Sequence, residues 1–405
     1  MYAIKAAGVM IPALRHQFNK EFTAEKYQGF LSDLESAHPG SIDFRIAETP
    51  VFMPAIIRDQ MLETCERIID LIVDPGFKGQ TDRSIPAHEF VPGNEKNPSM
   101  LAFDFGICIN ETGGLEPQLI EMQGFPSLFG LQVFFGEIQR KHFSIPASFS
   151  HYLNNHDEAS MTKLFSEVLL GESPPENTIL LEIKPDTQKT RVDFYFTEDL
   201  TGIQPVCITE LVSEGRKLYY LKDGAKTRVL RIYNRIIFDD LRSRTDLGNH
   251  VNITDDFEVE WIPHPNWFYR VSKFTLPYIH HRFVPQTFFL DQVKQLPPDL
   301  ENYVVKPLFS FAGQGVIIDV NAEAIAGIDD PQNWILQKKV KYANAILTPS
   351  DPAKVEIRIM YLWKDGAARP EPVINLSRLS KGKMIGVRYN KDKDWVGGSV
   401  CFFEP

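Results

Sequence analysis

The sequence predicts a fold that combines α/β and α+β organisation, and three observations point to it. Strands and helices alternate from about residue 176 onward, which is typical of a parallel sheet with crossover helices. Residues 100–123 form two apolar runs around a polar turn, which predicts an antiparallel hairpin. Residues 303–318 form a second pair of apolar runs around a glycine-containing loop. Such hairpins need no crossover helix, so both classes of sheet are expected in one chain.

Residues 1–99 are predicted to be a helical N-terminal region. Apolar residues recur at helical spacing between residues 57 and 72, and Pro75 with Gly76 ends the pattern. Residues 76–99 are rich in proline, glycine, asparagine and charge, which indicates a loop. We find no ligand-binding pattern in this region.

The second predicted unit, residues 100–175, begins with the hairpin. Residues 100–109 are almost wholly apolar and predict a strand, and residues 110–114 are typical of a turn. A second strand is expected at 118–122 and a helix at 128–143.

The third predicted unit, residues 176–265, has the β-α-β order of a parallel sheet. Strands are expected at 178–183, 205–209 and 229–235, with a helix at 192–200 between the first two.

The last predicted unit, residues 266–405, contains the most informative stretch. An apolar strand ends at Lys306, a loop with Gly313 and Gly315 follows, and a second apolar strand begins at Val316. Glycine permits positive φ and lets backbone N–H groups approach a polyphosphate closely. Lys306 would add a cation. The same loop is also compatible with a plain hairpin turn.

Composition excludes several classes of function. The chain has 405 residues, 43% hydrophobic and 24% charged, which is ordinary for a soluble globular protein of about two to four domains. Its net charge of −10 argues against general nucleic-acid or anionic-membrane binding. No signal peptide and no apolar run of about 18 residues is visible.

The four cysteines indicate a reducing compartment. Cys65, Cys108, Cys207 and Cys401 are far apart and form no CxxC pair, so they provide no disulfide or zinc framework. We therefore expect a cytoplasmic protein whose partners are small molecules.

The order of features over residues 100–405 resembles the ATP-grasp superfamily of ligases. Members have an α/β domain, a lysine that opens a small helical piece, a second lysine before a glycine-rich loop, an adenine-binding hinge and arginine-bearing strands. The corresponding segments here, in order, are 176–265, Ser272–Phe274, Val305–Pro307, Gly313–Gly315, Leu336–Val340, Glu356–Arg358, Asn375–Arg378 and Gly386–Asn390.

One expected piece lies early in this chain. ATP-grasp enzymes end with an acidic strand and a Glu-x-Asn-x-x-Pro strand end, whereas here Asp104 and the run from Glu121 through Gln123 to Pro126 occur near the N-terminus. Glutamine replaces asparagine in that run. This arrangement resembles the circularly permuted branch, which includes the synthetase domain of glutathionylspermidine synthase.

The resemblance implies an ATP-dependent carboxylate–amine ligase that forms an amide through an acyl phosphate and releases ADP. ATP and Mg²⁺ would be required, and the substrates would be a small-molecule acid and an amine. Two alternatives stay open: a nucleotide-binding protein without ligase activity, and an ATP-grasp kinase that stops after phosphoryl transfer.

The resemblance also assigns the nucleotide-binding residues. Lys273 and Lys306 would bind phosphates, and the loop and hinge would cover the nucleotide with Gly313, Gln314, Gly315, Gln337, Lys338, Lys339 and Val340. The hinge reads adenine largely through its backbone, and the double lysine there departs from the glutamate that many members carry. The alternative interpretation is a solvated strand end and ordinary surface lysines.

Metal and catalytic residues follow from the same resemblance. Mg²⁺ prefers oxygen ligands, so Asp104, Glu121 and Gln123 are its candidates. Arg378, Arg388 and Lys306 are the candidate catalytic residues, because a guanidinium fork suits the spread charge of a transferred phosphoryl group. The alternatives are an exposed polar hairpin face and ordinary surface arginines.

Four further charged residues have open assignments. Glu356 is a weaker metal candidate, because Glu356 and Arg358 could simply form a surface pair on one strand. Arg231 and Arg235 resemble an arginine-bearing strand of the permuted branch, and they would face the cleft only if that strand ends there.

Overall fold

The computed structural model describes residues 8–309, 315–382, 385, 390 and 392–405. Gly313, Gln314 and Arg388 therefore lie outside the described residues.

The α-helices, numbered in chain order, are α1 (Pro12–Glu21), α2 (Ala24–Ala37), α3 (Ala55–Ile72), α4 (Phe77–Thr81), α5 (Phe129–His142), α6 (Glu158–Leu170), α7 (Arg191–Thr201), α8 (Phe238–Ser243), α9 (Trp267–Arg270) and α10 (Ala322–Ala326). The strands are β1 (Val51–Met53), β2 (Met100–Ile109), β3 (Leu115–Gln123), β4 (Thr178–Glu182), β5 (Gln204–Cys207), β6 (Val212–Glu214), β7 (Lys217–Lys222), β8 (Ala225–Val229), β9 (Arg231–Asn234), β10 (Glu260–Ile262), β11 (Thr287–Phe289), β12 (Tyr303–Pro307), β13 (Trp334–Lys338), β14 (Lys354–Leu362), β15 (Glu371–Ser380), β16 (Gly397–Ser399) and β17 (Cys401–Phe403).

The largest sheet joins an early part of the chain to a late part. Its order is β16-β15-β14-β2-β3, and every neighbouring pair is antiparallel. The predicted hairpin of β2 and β3 is confirmed, and it pairs with β14 more than two hundred residues further along the chain. β2 is buried on both faces, and α3 packs on this hairpin from one side. The early hairpin is therefore an internal part of the sheet.

A parallel sheet of order β10-β9-β4-β5 forms the predicted α/β unit. Helix α7 connects β4 to β5, as the β-α-β pattern predicted. An antiparallel meander of β6, β7 and β8 is inserted before β9. Its β7–β8 turn has positive φ at Asp223 and Gly224, the backbone geometry of a tight type I′ hairpin.

A third sheet of order β11-β13-β12 is antiparallel and carries the candidate lysine and hinge residues. The second apolar strand that was expected at residue 316 is not regular. Among the described residues, the return from the glycine loop is a single antiparallel bridge between Val305 and Ile317. One bridge still brings the two arms of the predicted hairpin together.

The N-terminal region is less uniformly helical than predicted. Helices α1, α2 and α3 are present, and α3 buries the apolar residues of the predicted periodicity. Between α2 and α3, however, β1 pairs in parallel with β17 near the C-terminus. The predicted loop at 76–99 also includes the short helix α4. Both differences arise from tertiary contacts that a local pattern does not contain.

In the described part of the chain, no helix combines the length and the apolar character that crossing a membrane requires.

Candidate active site

One face of the five-stranded sheet carries a set of alternating charges. Asp104 on β2 lies directly opposite Glu121 on β3 and opposite Arg358 on β14. Arg378 on β15 lies opposite Glu356 on β14. Side chains that are directly opposite or two residues apart share a face of a sheet. The register therefore brings these five charged side chains together.

Asp104 is the most enclosed member of this set, with 1% of its surface exposed. The guanidinium of Arg358 donates to both of its carboxylate oxygens, with Nε–Oδ1 and Nη2–Oδ2 distances of 2.6 and 2.7 Å. Arg378 Nη2 donates to Oδ2 at 2.9 Å. Burial disfavours the charged carboxylate, but the two arginines outweigh it and hold the pKa of Asp104 below its usual value. This is a bidentate pair with a second arginine attached.

Glu356 and Arg358 are not the surface pair that the sequence allowed. Both are buried, with 6% and 8% of their surfaces exposed. Arg358 pairs with Asp104, whereas Glu356 Oε2 accepts from Arg378 Nη2 at 3.0 Å. The sequence left this alternative open, because alternation along a strand shows which residues share a face but not whether that face is covered.

Tyr342 is a member of the site that the sequence did not indicate. Its hydroxyl donates to Glu356 Oε1. Burial raises the pKa of Glu356, although Arg378 and the Tyr342 hydroxyl oppose this shift. A Cβ at Gly106 would lie 2.6 Å from the Tyr342 ring, so the ring can reach Glu356 only because glycine occupies the neighbouring strand. A glycine inside an apolar strand was the available signal.

The two candidate lysines are both largely withdrawn from solvent. Lys306 on β12 donates from Nζ to Gln337 Oε1 at 2.6 Å, and burial lowers its pKa to about 8. Burial also lowers the pKa of Lys273. Glu121 opposes both shifts, and the two lysines are close enough for Lys273 to lower the pKa of Lys306 further. Two buried cations that disfavour each other form a site that a polyanion would stabilise.

Local structure explains how Lys273 reaches this position. Ser272 Oγ accepts a hydrogen bond from the Phe274 amide at 3.1 Å and begins the 3₁₀ helix Lys273–Tyr278. The lysine stands at the first position of that helix, 8% exposed. The cap therefore fixes the backbone that turns Lys273 inward.

Glu121 and Gln123 form a small oxygen-rich edge at the end of β3. They share a face of the strand, and Gln123 Nε2 donates to Glu121 Oε1 at 2.7 Å. Both are half-buried. The described residues hold no group of three or more histidine, cysteine or carboxylate side chains that could bind a metal by themselves. One carboxylate with an amide oxygen still fits Mg²⁺, because this ion commonly uses few protein ligands together with substrate phosphates.

The residues predicted to form the hinge lie at the end of β13 and directly after it. The amides of Lys338 and Lys339 donate to the carbonyls of Gln286 and Asn302 at 2.9 and 2.8 Å. No hydrogen bond from the Val340 amide to another described residue is present. Val340 is therefore the hinge position whose amide is available to a ligand.

Gln337 points away from the hinge edge. Its side chain is 2% exposed and bridges Lys306 and Thr287, donating to Thr287 Oγ1 at 3.0 Å. Gln337 thus orients Lys306, and Thr287 is a second residue that the sequence did not indicate.

Gly315 is the residue of the glycine loop at which the described chain resumes. Its φ is +72°, and a Cβ there would lie 3.0 Å from Pro307 Cγ. Both the left-handed backbone and the close approach favour glycine.

A cavity of about 180 Å³ adjoins this site and shares Glu121, Gln123 and Lys273 with it. Arg235, directly after the end of β9, also lines the cavity. The sequence predicted that Arg235 would face the cleft only if its strand ends there. The strand β9 does end directly before Arg235, so this condition is met.

Of the comparisons with known proteins, only the one with solved structures gives a match, and it bears on the fold alone. No protein-family model matches the chain, and no curated protein matches it in sequence. Among solved structures, it is similar to a glutathione synthetase-like effector from Globodera pallida in its apo form. The TM-score is 0.59, the identity is 11%, and the match covers 100% of both chains. The chain therefore has the overall fold of a glutathione synthetase-like protein.

The ion-pair junction yields a stability prediction. Replacing Asp104 with asparagine should lower the free energy of unfolding by about 3 kcal/mol, because it leaves the Arg358 guanidinium without its buried anion and leaves Arg378 paired with Glu356 alone. The control is Asp246→Asn, which breaks exposed pairs with Arg244 and Lys184 and should cost about 1 kcal/mol or less. Urea denaturation of both variants measures the difference, and equal costs would contradict the prediction.

Burial of Lys306 yields a pH-dependence prediction. Its folded pKa of about 8 lies below the unfolded value of 10.5, so the unfolded chain binds more protons between these two values and stability rises with pH there. Relative to Lys306→Met, the wild type should gain up to about 3 kcal/mol between pH 7 and pH 10.5. Groups that do not interact with Lys306 titrate alike in both proteins and cancel in the difference. A wild type that loses stability relative to the variant over this range would contradict the prediction.

Proposed function

We propose that the protein is an ATP-dependent ligase of the ATP-grasp type that joins a small-molecule carboxylate to an amine and releases ADP and phosphate. The observation that supports it most is the meeting of Glu121, from the early hairpin, with Lys273 and Lys306 from the last third of the chain. Glu121 opposes the lowering of the pKa of both lysines, and Lys273 lowers the pKa of Lys306 further, which supports a common site for the three groups. The fold similarity adds support at the level of architecture.

The phosphate-binding part of the proposal rests on the buried lysines. Lys273 and Lys306 would hold the phosphates of ATP, whose negative charge restores the charged state that burial disfavours. Gln337 holds Lys306 in place. The backbone of Lys338, Lys339 and Val340 would face adenine, with the Val340 amide as the donor. Gly315, with Gly313 and Gln314, would belong to the loop that covers the phosphates.

The metal-binding part rests on Glu121 and Gln123. Mg²⁺, when bound there with ATP, would neutralise charge on the phosphates. Binding would replace the hydrogen bond between the two side chains. We assign Asp104 mainly the role of positioning Arg358 and Arg378, because both of its oxygens accept hydrogen bonds from these arginines. It would reach the metal only by exchanging one of those partners.

The chemical part rests on Arg378. About 41% of its side chain is exposed while it stays anchored to Asp104 and Glu356, so it could face the transferred phosphoryl group with its orientation fixed. An oxygen of the acid attacks the γ-phosphorus and the bond to ADP breaks. The amine nitrogen then attacks the acyl carbon of the acyl phosphate, and phosphate leaves as the nitrogen loses a proton. Arg388 would assist in the first step.

The permuted arrangement is part of this proposal. In this arrangement, β2 and β3 would supply the two strands that ATP-grasp ligases carry at the end of their fold. The pairing of β2 with β14 supports the permuted arrangement.

A nucleotide-binding protein without ligase activity is the second candidate. The observation that favours it is the saturation of Asp104 by Arg358 and Arg378, which leaves one fewer carboxylate for a metal. Such a protein would bind ATP and form no ADP.

Replacing Lys306 with alanine, or Glu121 with glutamine, should abolish acid-dependent ADP formation while leaving the circular dichroism spectrum unchanged. The reason is that each variant removes a group proposed to contact the phosphates or the metal. Matched controls are Lys294→Ala, at an exposed lysine, and Glu116→Gln, on the same strand as Glu121. The measurement is ADP release by a coupled assay.

Normal turnover in both site variants would refute the assignment of this site. ATP binding with no ADP under any acid and amine would support the second candidate. ADP formation that needs the acid but no amine, with stable phosphorylated product, would indicate a kinase.

A further inference from the structure

The cavity beside the proposed nucleotide site has two kinds of lining residue. Glu121, Gln123 and Lys273 are polar members that the proposed function already uses. The rest forms a mostly apolar part of the lining, to which three aromatic rings contribute: Phe125, Phe268 and Phe309. Its volume of about 180 Å³ corresponds to roughly six water molecules. This volume suits a small molecule.

Arg235 places a buried positive charge in this apolar part. Its surface is 9% exposed, and Nη1 donates to the Pro126 carbonyl at 2.8 Å. The Nε atom is buried without a hydrogen-bond acceptor among the described residues. The guanidinium carbon lies 4.9 Å from the centre of the Phe125 ring. A buried guanidinium without a close anion is costly unless a ligand supplies one.

The chain supplies no close counterion for Arg235. No carboxylate in the described ranges lies within the 4.0 Å that defines an ion pair with it. Glu182 and Asp193 act on it only at longer range. Asp193 is engaged by the amides of Leu128 and Leu131, each at 2.9 Å. Burial raises the pKa of Glu182 to about 7, so much of it is neutral at neutral pH.

Arg231, on β9 itself, is an arginine with a structural role. It donates to the carbonyls of Val168 and Leu169 and pairs with Glu260. Arg235 instead follows the carboxyl end of β9 in the parallel sheet, the end at which α/β proteins bind ligands.

We infer that Arg235 anchors the acid substrate of the proposed ligase, and that this acid is a small carboxylate with an apolar, preferably aromatic, body. This inference rests on the proposed function. The carboxylate pairs with the guanidinium, and the body lies against Phe125, Phe268 and Phe309. Lys273 lines the same cavity, so the carboxylate is held beside the groups proposed to bind the phosphates of ATP. A polyanionic acid does not suit the apolar walls, and a tripeptide would extend beyond the cavity.

Steady-state kinetics with phenylacetate as the acid and hydroxylamine as the amine tests the inference. Hydroxylamine attacks the acyl carbon of an acyl phosphate, so phosphate leaves and a hydroxamate forms. Arg235→Gln should raise the KM for phenylacetate about tenfold or more, the loss expected for a charged hydrogen bond, and leave the KM for ATP within about twofold. The control is Arg231→Gln on the same strand, which should leave the KM for phenylacetate unchanged. Succinate and glutathione should be poorer acids than phenylacetate.

A second variant covers the case in which Arg235→Gln does not fold. Ser127 is half-buried in the cavity wall, next to the residue whose carbonyl binds Arg235. In Ser127→Glu, the new carboxylate should pair with Arg235 and exclude the acid, with the same rise in the KM for phenylacetate.

Equilibrium dialysis with radiolabelled phenylacetate separates this inference from the proposed function. Saturable binding that both cavity variants lose, with no turnover of ATP, supports the role of Arg235 and refutes the ligase. Turnover with unchanged KM values in both variants, a preference for succinate or glutathione, or no phenylacetate binding by the wild type would overturn the inference.

Discussion

The carboxylate of Asp104 is the junction on which the arrangement of the site depends. It lies on β2, near the beginning of the chain, and accepts hydrogen bonds from Arg358 on β14 and Arg378 on β15. These bonds connect three neighbouring strands of one sheet across its charged face. A buried anion with two guanidinium partners tolerates little movement, because any displacement leaves a charge uncompensated. The register of the early hairpin against the late strands is therefore fixed by charge as well as by apolar packing.

That register determines what can happen at the edge of the sheet. Because Asp104 is held, Glu121 opposite it is held too, at the side that faces Lys306 and Lys273. Burial lowers the pKa of both lysines, so a nearby negative charge would favour their protonated state. The free protein thus keeps two lysines whose positive charge burial disfavours, at a cost in stability. In our account, a nucleotide polyphosphate offsets that cost when it binds, and stability and binding compete at the same residues.

Local patterns predicted much of the fold, and long-range contacts decided the rest. The hairpin of β2 and β3, helix α3 and the β4-α7-β5 unit could be predicted, because apolar periodicity and turn residues are local properties. The strand β1 could not be predicted from a local pattern, because its three residues form a strand only by pairing with the distant β17. For the site, the sequence indicated residue types but not partners. The burial of Gln337 between Lys306 and Thr287, and the contact of Tyr342 with Glu356, depend on residues that come together only in the folded chain.

Anomalous scattering from crystals grown with Mn²⁺ and a non-hydrolysable ATP analogue tests the central claim most directly. The account predicts one manganese ion bonded to a Glu121 oxygen at about 2.2 Å, with the triphosphate between it and the ammonium groups of Lys306 and Lys273. A nucleotide bound elsewhere on the protein, or a manganese ion with no bond to Glu121, would contradict it.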